Sequence, residues 1–116
     1  MNRRFRLTRS TDFKRVRRFG KSYAHPLVVL VVMSNASGSV HVGVSAGRSV
    51  GNAVQRNRSK RLLREAIRPL LPQIHPGWEL VLLSRSNTSK ASSQDIQAAL
   101  VNLLKRAQII KNENGS

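Results

Sequence analysis

The sequence predicts a two-layer α+β domain. Three observations carry that expectation. The chain has 116 residues, enough for one hydrophobic core and too few for two. Apolar residues make up 40% of it, so a packed core is possible. The apolar spacing changes along the chain in the order helix, strands, helix, strand, helix.

Residues 1–9 are basic and expected to be flexible. Ser10 is a plausible N-cap, with Asp12 in the first turn where the helix dipole favours an acid. Phe13, Val16 and Arg17 then fall at helical spacing, and Gly20 supplies a stop, so a short helix is predicted over about 10–18. Leu27 to Met33 is Val-rich and bounded by Pro26 and Ser34-Asn35, the pattern of a buried strand. Val40, Val42 and Val44 alternate with His41, Gly43 and Ser45, giving a second strand with one apolar face. The turn-rich stretch between them predicts an antiparallel hairpin.

Asn52 with Gln55 three residues on makes a variant capping box for a long helix to about Arg68, ended by Pro69 and Pro72. Trp78 to Leu83 is a further strand, and Ser84 to Ser92 a polar loop. Ser92 or Ser93 caps a last helix with the stripe Ile96, Ala99, Leu100, Leu103, Leu104 and Ala107. The expected organisation is one domain over residues 10–108, followed by a flexible tail at 109–116.

Charge narrows the function. Lys and Arg number 21 against 5 Asp and Glu, a formal net charge of +16. A domain so charged repels itself and suits a polyanionic partner. Nine of the bases lie in residues 1–21 and six in residues 53–68. On a helical wheel, Leu62, Leu63, Ala66, Ile67 and Leu70 fall on one side of the long helix. Arg58, Arg61, Arg64 and Arg68, with Asn57, fall on the other, and Arg56 points closer to the apolar side. Successive turns rise about 5.4 Å, near the spacing of phosphates along a strand. A planar guanidinium grips a phosphate with two hydrogen bonds. A solvated face would mix signs, whereas here one acid, Glu65, meets six bases. Nucleic-acid binding follows. Phe13 serves either the core or a stacking platform, and Arg48 is placed where it reaches phosphate or stands free in its loop.

Other classes are disfavoured. With no cysteine there is no disulfide, thiolate metal site or Cys nucleophile. Asp12, Glu65, Glu79, Asp95 and Glu113 are scattered, as are His25, His41 and His75, whereas two-metal nucleases cluster their carboxylates. The run Leu27 to Met33 is too short to span a bilayer, so no membrane partner is expected. No apolar stretch follows Met1-Asn2-Arg3-Arg4, so no signal peptide is expected, and a cytoplasmic location is. A ribosomal protein without processing activity, a protein that sets its basic helix in the DNA major groove, and a cationic membrane-active protein remain as rivals.

The run Gly51-Asn52-Ala53-Val54-Gln55-Arg56-Asn57-Arg58-Ser59-Lys60-Arg61-Leu62-Leu63-Arg64-Glu65 resembles the signature of the bacterial ribonuclease P protein family. Leu7-Thr8-Arg9-Ser10-Thr11-Asp12-Phe13 with Val16 and Gly20, and Val42-Gly43-Val44-Ser45, resemble that family's first helix and the strand before its signature loop. The resemblance implies a mixed four-stranded sheet with three helices and a left-handed βαβ crossover, the ribosomal protein S5 domain 2-like fold, with an added strand near Lys21 to Ala24. It implies a subunit that binds a catalytic RNA, one to one, and the single-stranded 5′ leader of precursor tRNA. The RNA cuts the leader with Mg2+ ions that no protein residue is expected to hold, and no side chain is expected to be catalytic. By position, Arg56, Asn57, Arg58, Lys60, Arg61, Arg64 and Arg68 are the implied contacts to the RNA subunit. Phe13, Arg17, Val31 and Arg48 are the implied leader contacts. Arg17 stands where the family often has an aromatic and Val31 where a strand tyrosine can occur, which shifts leader binding from stacking toward charge.

Overall fold

The computed structural model describes residues 10–111, with side chains from residue 12. The basic segment 1–9 lies outside the described residues, as do residues 112–116. Three helices, α1 (Ser10–Phe19), α2 (Ala53–Ile67) and α3 (Ser93–Ala107), surround four strands, β1 (Lys21–Ala24), β2 (Val28–Ser34), β3 (Val40–Ser45) and β4 (Trp78–Ser84).

The strands form one sheet in the order β1-β2-β4-β3. β2 pairs antiparallel with β1 and with β4, and β3 pairs parallel with β4. The expected hairpin between β2 and β3 is therefore absent, because β4 lies between them. The physical reason is in the faces. Glu79, Leu80, Val81 and Leu82 are all buried, so β4 takes a central place with a covered surface on each side. β3 turns His41, Gly43 and Ser45 to one face, a small and polar set that suits an edge. Because β3 and β4 run parallel, a crossover must join them, and α2 supplies it.

One face of the sheet carries the main core. Leu30, Val42, Leu80 and Leu82 pack there with Leu63, Ala66 and Ile67 of α2 and with Ile96, Leu100, Leu103 and Leu104 of α3. These two layers are the expected sandwich. α1 covers the other face, where Val16 packs on Val31 and Val81. It is clamped there by Arg15, whose guanidinium donates to Glu79 at 2.7 Å and lies 3.5 Å from Asp12. At the end of α1 the chain passes tightly over β2. A Cβ on Gly20 would stand 2.5 Å from the Val16 carbonyl oxygen and 2.7 Å from that of Val32, so glycine is required by space.

Local signals act as expected at the other helices. The Asn52 side chain accepts from the Gln55 amide, and the Gln55 side chain accepts from the Asn52 amide, each at 2.9 Å, completing the capping box. Gly51 before it has φ of +132°, open only to glycine at low cost. α2 tightens at Arg68 into a 3-10 turn that carries Pro69 and Pro72. Ser92 caps α3 by accepting from the Asp95 amide at 3.1 Å. The boundary expected after residue 108 moves outward. Ile109 is fully buried, Ile110 bridges to Ile74, and the Lys111 amide donates to the Gln73 carbonyl.

Candidate nucleic-acid interface

α2 packs one side on the sheet, so its charged residues stand on the other side, while the small Ser59 is buried. Asn57, Lys60, Arg61, Arg64, Glu65 and Arg68 line a shallow groove of about 420 Å³ along it. Asn57, Arg61 and Arg68 are exposed there, while Lys60 and Arg64 are half-buried. Five cationic or amide donors thus converge with a single carboxylate, which is chemistry for phosphate and sugar oxygens. Two of the anticipated residues stand apart from the groove. Arg56 is half-buried on the first turn. Arg58 turns away to donate its Nε hydrogen to the Ser89 carbonyl at 3.0 Å, bracing the loop after β4.

A second hollow opens where α1 crosses the sheet. Near the start of α1 it is lined by Phe13, Lys14, Arg17, Ser45, Ala46 and Lys60. It continues past Arg17 to Val29, Leu83, Ser49 and Arg85. Phe13 is half-buried against the Val16 cluster and also lines the cleft, a position that serves the core and leaves part of the ring facing the hollow. Arg17 faces both stretches of the cleft. Arg48 is exposed in a 3-10 turn at its rim, where its neighbours Gly47 and Ser49 form the wall.

Val31 is corrected by the structure. It is only 2% exposed, sealed beneath Val16, and offers no surface to a strand. Val29, two residues earlier on the same face, takes that place in the wall. Sequence reasoning also passed over Arg85. Its one signal was position, a base just beyond the apolar run of β4. Its backbone is fixed, because its amide donates to the Thr88 hydroxyl at 2.7 Å and that hydroxyl donates to the Leu27 carbonyl.

A larger hollow, about 970 Å³, lies elsewhere, between α3 and the turn after α2, among Pro69, Gln73, Gln97 and Val101. Its size reflects an open groove between packed elements, and it does not meet the basic face. Among the described residues no group of three or more His, Asp or Glu converges as a metal site would require. Nor is any helix there long and apolar enough to cross a membrane.

Comparison with known proteins finds relatives over most of the chain. Residues 1–108 match the family model described as ribonuclease P. The ribonuclease P protein component of Herpetosiphon aurantiacus is 41% identical over 109 residues, covering 94% of this chain and 89% of its own. That of Clostridioides difficile is 37% identical, covering 93% and 96%. Among solved structures, the RNase P protein of Staphylococcus aureus superposes with a TM-score of 0.80 at 27% identity, over 92% of this chain and 98% of the other. That of Thermotoga maritima gives 0.76 at 30% identity, over 87% and 96%.

Proposed function

Since the chain belongs to the ribonuclease P protein family and is the protein subunit of that tRNA-processing endonuclease, we propose that its two basic hollows divide the two RNAs between them. The α2 groove takes the RNA subunit through Asn57, Lys60, Arg61, Arg64 and Arg68, with Arg56 at its start. The α1 cleft takes the 5′ leader of precursor tRNA, with Phe13 and Val29 as apolar floor and Arg17 and Arg85 on phosphates. Arg48 adds charge at the rim, and Arg58 contributes chiefly by bracing the Arg85 loop.

The observation that carries this reading is the place of Lys60. It lines both the α2 groove and the α1 cleft, so the two hollows meet at one ammonium group. Two polyanions brought that close repel strongly, and a ridge of cations between them offsets the repulsion. One protein copy per RNA subunit fits a single such junction. The expected compartment is the cytoplasm.

Mg2+ is assigned to the RNA subunit. A hard divalent cation seeks oxygen ligands, chiefly carboxylates. The cleft instead presents Lys14, Arg17, Lys60 and Arg85 and no carboxylate, which does not fit such an ion. The protein's share is to bind, orient and screen charge.

Reconstitution tests the reading. The protein is added to its own source's ribonuclease P RNA, and precursor-tRNA cleavage is followed at low Mg2+ with and without a leader beyond the cut site. Cleavage should rise with protein, and affinity should rise more for the leader-bearing substrate. An RNA subunit indifferent to the protein overturns the assignment.

A further inference from the structure

A third basic surface lies where α1 ends, β1 begins and α3 closes. Phe19, the last residue of α1, is 70% exposed. The Arg18 guanidinium lies 5.4 Å from its ring centroid. Four residues on, Tyr23 packs its body on the main core. The Lys21 ammonium stands 5.5 Å from the Tyr23 ring and the Arg106 guanidinium 5.9 Å. Arg106 is held in place because it also donates to the Ala24 carbonyl at 2.8 Å. One cation thus lies on the Phe19 ring and two on the Tyr23 ring four residues on, and none of the three forms an ion pair among the described residues.

Like charges placed together weaken a fold unless a counter-charge arrives. An exposed ring such as Phe19 with cations close by is what unpaired nucleic acid uses, since a base can stack on the ring and phosphates pair with the charges. The chain from Phe19 to Tyr23 spans at most about 14 Å, the reach of two or three nucleotides. β1 is an edge strand, so its outer backbone groups are free of any strand partner. A second copy of the chain is a poor occupant, because each carries +16.

We propose that this corner binds an unpaired segment of the RNA subunit, with a base against Phe19 and phosphates at Lys21 and Arg106. The choice of source rests on the leader lying in the α1 cleft. Phe19 shares the side of α1 with Arg15, one turn earlier, whereas Phe13 and Arg17 face the cleft. A leader held in that cleft lies across α1 from Phe19, leaving the corner to the larger RNA.

The test uses the holoenzyme assembled with precursor tRNA and a photoreactive benzoylphenylalanine at position 19. Crosslinks should map to unpaired nucleotides of the RNA subunit. Crosslinks to the precursor, to a protein, or to nothing overturn the proposal. In parallel, Phe19→Leu keeps the apolar bulk and removes the ring, and should weaken RNA-subunit binding about tenfold. The double variant Lys21→Gln with Arg106→Gln should lower the salt slope of binding by one to two units. Unchanged affinity and slope also overturn it. In both variants the ratio of affinities for leader-bearing and leaderless precursor should match the unsubstituted protein. A ratio of one in the unsubstituted protein itself would instead remove the leader from the cleft, and with it the reason for choosing the RNA subunit.

Discussion

Arg15 reaches across 64 positions of sequence to donate to Oε1 of Glu79 at 2.7 Å, fastening α1 to the centre of the sheet. The two ends differ, since the Arg15 side chain is 46% exposed and that of Glu79 only 8%. Water can replace Glu79 for Arg15 more easily than it can replace Arg15 for Glu79. Arg15→Ala should therefore cost more stability than Glu79→Gln, about 1–3 kcal/mol against about 1 kcal/mol, in urea unfolding. The reverse order would show that the carboxylate finds another partner.

The same pair separates structural from RNA-facing charge. Arg61 lines the α2 groove and makes no ion pair or side-chain hydrogen bond among the described residues, while Arg15 is engaged by two carboxylates. Arg61→Ala should reduce the salt slope of RNA-subunit binding by about one unit. Arg15→Ala should leave that slope unchanged at temperatures where the variant stays folded. Equal slopes for Arg61→Ala and the parent protein would take Arg61 off the phosphate contacts.

Gly20 sets the height of α1 above the sheet. A methyl group there meets two backbone oxygens, at 2.5 and 2.7 Å, and neither can rotate away. Gly20→Ala should destabilise the fold by about 1–3 kcal/mol. It should also reduce the preference for leader-bearing precursor more than it reduces affinity for the RNA subunit, because α1 walls the cleft and α2 does not move with it. Titration of both RNAs against one variant preparation measures the split.

Thr88 is fully buried, and its hydroxyl links the Arg85 amide to the Leu27 carbonyl. Thr88→Val keeps the shape and strands both backbone groups, at a cost of about 1–3 kcal/mol in thermal or urea unfolding. Thr88→Ser retains the hydroxyl and should lose less. If the serine variant were the weaker of the two, packing of the methyl group rather than hydrogen bonding would govern this loop.

Local physics made much of this protein legible in sequence. A capping box needs two residues three apart, so Asn52 and Gln55 could be paired on sight, and the structure bonds them. Helical periodicity likewise marked the buried stripes of α2 and α3 and left Arg61, Arg64 and Arg68 facing away from the core. The family signature lay on that same helix.

What the sequence could not decide was neighbourhood. A period of two says which face of a strand is apolar and nothing about the strand beside it, so β4 entered between β2 and β3 unannounced. The fate of individual charges was equally hidden. Arg15 and Arg58 belong to the same basic runs as the groove residues, and only folding brought Glu79 and the Ser89 carbonyl, 64 and 31 positions away, within reach of them. Val31 vanished beneath Val16, and Arg85 gained a place in the cleft, for the same reason. Composition and period determine each element alone, whereas the partners of a side chain are fixed by contacts distant in sequence, which exist only once the core has closed.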